Sequence, residues 1–279
     1  MSERVTEETR KRRLSRDPKD KVPVLTDKGN AILTSVWNPS LHDVQEYRKV
    51  PFYKDITFTG RTFPYVVRNL LQLYSKEGAR VYDPMLGSGT TLYEATALKR
   101  KVAGSDVEID QVEDFKVRWR RHVKKPMPRV CVASATKIPV KDNFVDLVIM
   151  SFPWYNTWKF TKNKKNEGMD NCKSLETFLA LSNKIYKEMF RVLKPGGYVA
   201  NILGNTYQKG VYYPITMEMP AIIKKVGLVP WYQFWNLRVE AKHISFPWTR
   251  SGLDCGPHKA DNGVGWDVHE DIIVARKKP

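Results

Sequence analysis

The sequence predicts an α/β fold, a largely parallel twisted sheet with helices on both faces, and three observations carry that expectation. Short apolar runs alternate with helix-spaced stretches from Pro64 to the end of the chain, the pattern of strand–helix–strand units. Each loop that offers chemistry directly follows one of those runs, and ligands of open parallel sheets bind at the carboxyl ends of the strands. With 279 residues, 42% hydrophobic and 11% aromatic, the chain has ample apolar material for a sizeable core.

Taken in order, Val66, Val67, Leu70, Leu71 and Tyr74 recur at helical spacing after Pro64. The run 79–84 then reads as a first strand, residues 91–99 as a helix and Lys101–Asp106 as a second strand. Residues 130–134 read as a third strand and 146–151 as a fourth. A long helical pattern spans Leu175–Leu193, with Ser174 as its N-cap, and Lys194-Pro195-Gly196-Gly197 ends it. Residues 198–203 form a fifth strand, 217–226 a helix, 229–239 a later strand or strand pair, and 269–278 a final strand. That last strand is expected to lie antiparallel near the C-terminus.

Charge bears on partners more than on fold. Lys plus Arg total 47 against 30 Asp plus Glu, a net charge of +17, which favours a polyanion because neutralised phosphates release counterions. Residues 1–22 are polar, carry Arg10-Lys11-Arg12-Arg13 and read as a flexible basic arm, leaving 23–279 as a single domain. Cys131, Cys172 and Cys255 are scattered and form neither a CxxC nor a Cys/His cluster, so neither a disulfide framework nor a metal site is expected. The charged start and the lack of a long apolar run predict a soluble, cytoplasmic protein.

Two constellations carry chemistry. In the first, Asp83-Pro84-Met85-Leu86-Gly87-Ser88-Gly89-Thr90-Thr91 joins the first strand to a helix, and its glycines permit close approach of backbone to a ligand. It lacks the GK[ST] of a phosphate-binding loop and the third glycine of the dinucleotide fingerprint. Asp106, with Val107 after it, ends the second strand where a ribose hydroxyl pair is commonly held, with Glu108 and Asp110 nearby as alternatives. In the second, Ser151-Phe152-Pro153-Trp154-Tyr155 follows the fourth strand and offers a hydroxyl, carbonyl acceptors and flat rings. Those are parts that hold a planar base by its amino group; the alternative is a hydrophobic strand-end turn with Trp154 in the core.

Together these residues resemble the S-adenosylmethionine-dependent amino-methyltransferases of nucleic-acid bases, which make N4-methylcytosine or N6-methyladenine. DPMLGSGTTLYEA at 83–95 resembles the family's cofactor motif, SFPW at 151–154 its catalytic motif, and HEDIIV at 269–274 its last strand. The resemblance covers roughly residues 50–275 and implies a Rossmann-like class I methyltransferase fold with S-adenosyl-L-methionine as cofactor. It implies cofactor contacts from Thr59, Gly60 and Arg61, from Asp83, Pro84, Leu86, Gly87, Ser88, Gly89 and Thr90, from Asp106 and Val107, and from Ser134 and Ala135. It also implies catalysis by Ser151, Phe152, Pro153 and Trp154. The serine tilts the expectation to the N4 amine of cytosine, most directly in DNA. RNA cytidine, adenine N6 and a binding protein of the same fold without catalysis are the alternatives. Phe152 replaces a usual proline, Ser134 stands where an acid often meets adenine, and only 60 residues separate Thr91 from Ser151, leaving no room there for a large recognition domain. Substrate contacts are expected in an insertion near 155–173, from Tyr155, Trp158, Lys159, Lys162, Lys164 and Lys165, where bases and rings interleave. A second insertion near 240–266 is expected to read the base or cover the sheet. Nucleic acid is the expected partner, with no membrane and no metal, and the protein as monomer or homodimer.

Overall fold

The structure, a computed structural model, describes residues 26–27, 30–31, 36–37, 47, 49–56, 62–155, 168–208, 211–237, 264–266 and 269–279. The expected basic arm at 1–22 lies outside them. Elements in chain order are β1 (Thr26–Asp27), β2 (Asn30–Ala31), β3 (Val36–Trp37), α1 (Pro51–Lys54), α2 (Pro64–Tyr74), β4 (Arg80–Asp83), α3 (Thr90–Ala97), β5 (Lys101–Asp106), α4 (Ile109–His122), β6 (Arg129–Val132) and β7 (Val145–Ser151). A 3₁₀ turn (Met169–Asn171), α5 (Leu175–Val192), β8 (Leu193–Leu203), β9 (Thr206–Gln208), β10 (Val211–Tyr213), α6 (Ile215–Lys225), β11 (Leu228–Leu237), β12 (Val264–Trp266) and β13 (His269–Lys277) follow.

Among the described residues one eight-stranded sheet runs β3-β11-β13-β8-β7-β4-β5-β6. β13 is antiparallel to both neighbours, whereas the ladder from β8 through β7, β4 and β5 to β6 is parallel. The expected antiparallel strand near the C-terminus is therefore present, inserted between β8 and β11. A smaller antiparallel sheet, β10-β9-β12, flanks it.

Strand side chains alternate between two cores, as period-two geometry requires. Leu147 and Ile149 of β7, Ala200 and Ile202 of β8, and Ile272 and Val274 of β13 meet α2, α3 and α4 on one face. Val148 and Met150, Val199 and Leu203, and Ile273 and Ala275 meet α5 and α6 on the other. Both faces are thus covered, which is why these strands read as continuous apolar runs.

The cap of α5 is where the sequence puts it. Ser174 accepts from the Thr177 amide at 3.3 Å, and the Thr177 hydroxyl accepts from the Ser174 amide, a reciprocal capping box. Lys194–Gly197 end this helix as expected, yet the following strand reaches back to Leu193. Leu193 pairs with Val145 and Tyr198 with Leu147, so the four intervening residues bulge out of the ladder, with Gly196 at φ +80°. The helix expected at 91–99 starts one residue early and ends at Ala97, and that expected at 217–226 starts at Ile215 with Pro220 inside it. α4 is the main element that the sequence reading left out.

Candidate cofactor and amine cleft

The carboxyl ends of β4, β5 and β7 open onto one cleft. After Asp83 the chain turns through Gly87, at φ +44°, to Gly89, which caps α3 at φ +77°. Both conformations favour glycine. The turn is tied down by backbone bonds: Gly89 N–H donates to Leu86 O at 2.7 Å, and Leu86 N–H to Ser105 O on β5 at 2.9 Å. A side chain at Gly104 would meet Asp83 O at 2.9 Å, so β4 and β5 approach closely only because residue 104 is glycine.

Two carboxylates organise this end, Asp83 buried and Asp106 half-buried. Asp106 accepts from Gly87 N–H at 2.9 Å and from Glu108 N–H at 3.0 Å, linking the glycine loop to the start of α4. Burial raises its pKa, partly offset by those amides. Asp83 accepts from Met85 N–H at 3.0 Å, and its carboxyl is pushed up to about 7 by burial, against hydrogen bonds from Thr91 and Met85.

Beneath the loop lies α4. The Phe115 ring sits so close to Gly89 that a Cβ there would come within 2.2 Å of it. Arg118, only 2% exposed, donates to Ser88 O at 2.9 Å and to the Asp114 carboxylate at 2.7 Å. Its Cζ lies 4.9 Å from the centre of the Phe52 ring.

At the end of β7, Ser151 pairs with Ile202, and Phe152 N–H donates to Ile202 O at 2.9 Å, so the sheet ladder runs into the motif. The Phe152 ring is buried against Phe178 and Tyr186 of α5. Packing thereby fixes backbone that the usual proline ring would otherwise stiffen. Trp154 is half-buried and lies on Gly204, where a Cβ would approach the indole to 2.6 Å.

The cleft brings together Asp83, Pro84, Leu86, Gly87, Ser88, Thr90, Asp106, Val107, Ser134, Ala135, Ser151, Phe152 and Pro153. Gly89 and Trp154 are outside its lining, the first shaping the loop and the second packing on the end of β8. Tyr155, expected at the substrate, is 6% exposed and packs on Phe178 and Tyr213, so it belongs to the core beneath the motif. Thr59, Gly60, Arg61, Trp158, Lys159, Lys162, Lys164 and Lys165 lie outside the described residues.

The lining also includes residues the sequence reading did not select, among them Thr62, Gln111, Thr136, Met169 and Asp170. Gln111 stands one turn into α4 after Asp106, a spacing that would have found it had the helix been recognised. Asp170 is 2% exposed beside the amine motif, and no sequence pattern announces it. Among the described residues no group of His, Cys, Asp and Glu is placed to hold a metal, and no helix is long and apolar enough to cross a membrane.

Comparison with known proteins gives this geometry a lineage. A model of the DNA methylase family of N6/N4 methyltransferases matches residues 2–117, and a methyltransferase-domain model matches 85–201. No curated protein matches the chain. Among solved structures, TrmN from Thermus thermophilus is similar at 19% identity and TM-score 0.52 over 83% of this chain. The match spans only 53% of the Thermus chain. A methyltransferase from Methanosarcina mazei, described as S-adenosylmethionine-dependent, is similar at 15% identity and TM-score 0.50, over 75% of this chain and 97% of its own. A phosphoethanolamine N-methyltransferase of Haemonchus contortus, solved with S-adenosylhomocysteine, is similar at 16% identity and TM-score 0.53, over 77% of this chain and 52% of its own. At these identities the structures speak for a shared class I Rossmann-like fold. Each family model covers less than half of the chain, so together with the solved structures they make it similar to S-adenosylmethionine-dependent methyltransferases, with the class I Rossmann-like fold.

Proposed function

We propose that this protein methylates the exocyclic N4 amine of cytosine in nucleic acid. One observation carries the reading: Ser151, Phe152 and Pro153 line the same cleft as Asp83, Gly87 and Asp106. The residues fit S-adenosylmethionine. Asp106 is a half-buried acceptor at the place of a ribose hydroxyl pair, Gly87 and Ser88 offer backbone without bulk, and Ser134, Ala135, Gln111 and Thr136 flank the side where adenine would lie. Thr62, next in sequence to the expected Thr59–Arg61 contacts, adds a hydroxyl-bearing residue to the same lining.

When bound, the cofactor supplies an electrophilic sulfonium methyl. The protein's part is to make the amine a better nucleophile. The amine lone pair is delocalised into the ring, and acceptors that take both its hydrogens draw it towards tetrahedral geometry. In this reading the Ser151 hydroxyl and the Phe152 carbonyl, both from residues lining the cleft, take those hydrogens. The same two acceptors would stabilise positive charge developing on the nitrogen, which would lose its proton to water. A base in a duplex must first be flipped out, at a cost of a few kcal/mol. A serine rather than an acid at the first motif position supports cytosine. The description of the matching family model supports DNA, and the net charge of +17 suits a structured RNA at least as well.

The test is single-turnover transfer of labelled methyl to DNA and to RNA. Ser151→Ala should slow transfer roughly 10- to 100-fold, the loss of one transition-state hydrogen bond, with cofactor affinity unchanged. Transfer at the parental rate would remove Ser151 from the amine site.

A further inference from the structure

The described basic residues crowd the rim of the sheet opposite the cleft. From Phe115 to Lys141 the chain contains no Asp or Glu. α4 starts beside Asp106 and, being 14 residues long, carries its end about 20 Å from the cleft. There Lys124, Lys125 and Arg129 are exposed, as is Lys101 at the start of the neighbouring strand β5, while exposed Arg121 and Lys99 pair with Asp55 at 3.2 Å and Glu77 at 3.4 Å. Lys125 Nζ donates to Thr96 O at 3.2 Å, so the α4–β6 connection and the end of α3 form one surface.

Further along this rim the cations alternate with exposed rings. Phe144, 41% exposed at the start of β7, has Arg80 of β4 over it, with Cζ 4.2 Å from the ring centre. Trp231, 50% exposed at the bulge in β11, has Arg276 of β13 over it at 5.1 Å. From β6 to β11 the rim spans seven neighbouring strands, about 30 Å. Cations track a phosphate backbone, and rings carrying an arginine suit unpaired bases.

We propose that this rim is a second nucleic-acid contact surface and that its occupant is RNA, the same molecule whose cytosine enters the cleft. The proposal rests on the nucleic-acid reading above. A polymer touching both edges must turn around the side of the domain. Duplex DNA is stiff, with a persistence length of about 150 base pairs, and its bases are stacked away from the rings. A folded RNA with single-stranded segments bends freely and exposes bases to stack.

The experiment uses the full chain, a labelled stem-loop RNA with a single-stranded flank, and a DNA duplex of equal length. The triple variant Lys101→Gln/Lys124→Gln/Arg129→Gln should lower the slope of log RNA affinity against log salt by about 2, at roughly 0.7 per contact. Phe144→Ala should weaken RNA binding about tenfold, with Phe144→Tyr restoring it. Tm and cofactor affinity of the variants should match the parent. An RNA slope and affinity equal to the parent's would make the rim a bystander and overturn the proposal, while the amine site stands. Tight binding of duplex DNA but not of RNA would also overturn it. A parent that binds neither polymer would overturn the nucleic-acid reading itself.

Discussion

Asp83 sits at the end of β4 with a carboxyl held near pH 7 instead of its ordinary 3.8. Burial disfavours the anion, so the folded pKa is raised above the unfolded one. The stability this group contributes is therefore fully present below about pH 4 and is lost as pH rises through about 7. A cation in the cleft would reverse that balance by favouring the anion. Affinity for S-adenosylmethionine should accordingly climb between pH 6 and pH 8, where a group of pKa about 7 goes from roughly a tenth to nine-tenths ionised. Asp83→Asn should flatten the profile. Titration calorimetry across that range decides it, and a parental profile already flat would remove Asp83 from the cofactor's charge. At this scale much was legible. Asp83, Gly87, Asp106 and Ser151 stand out because backbone geometry and strand ends demand them. Asp170 and Tyr155 were not, since one acid or one ring in a loop looks the same whether it faces a cleft or a core.

Among the elements, α4 shows both how a helix positions a site and why it escaped notice. Its apolar stripe is narrow, Val112, Phe115 and Trp119, and charged residues dilute it. A buried arginine in such a stripe reads as surface. In the structure that arginine holds Ser88 O, so α4 supports the glycine loop after β4. Arg118→Met should destabilise the fold by about 2 kcal/mol, leaving a buried carbonyl without its donor, and should lower cofactor affinity as the loop loosens. Denaturant unfolding and calorimetry measure the two. Lost stability with unchanged affinity would reduce Arg118 to a packing residue. α5, by contrast, was legible from end to end because Ser174, a strong apolar period and the Lys194–Gly197 break agree. The strands β1–β3, β9 and β10 were not, being two or three residues long.

For the whole molecule, alternation of strand and helix gave the parallel sheet and the side on which ligands bind. It did not give the insertion of β13 between β8 and β11, because strand order depends on which edges pair and not on local pattern. Nor did net charge show where the cations gather, since +17 is the same number wherever they lie. The structure places Asp83 and Asp106 at one edge of the sheet and Lys101, Lys124, Lys125 and Arg129 at the other. The central claim, that the cleft methylates a cytosine amine in nucleic acid, is tested most directly by mass spectrometry of nucleosides. RNA and DNA would each be incubated with the protein and labelled cofactor, then digested. The expected result is labelled N4-methylcytidine from RNA, formed roughly 10- to 100-fold more slowly with Ser151→Ala. Label in N4-methyldeoxycytidine alone would keep the amine site and reject the RNA. Label in N6-methyladenine would contradict the base assignment, and no label in any nucleoside would contradict the account at its centre.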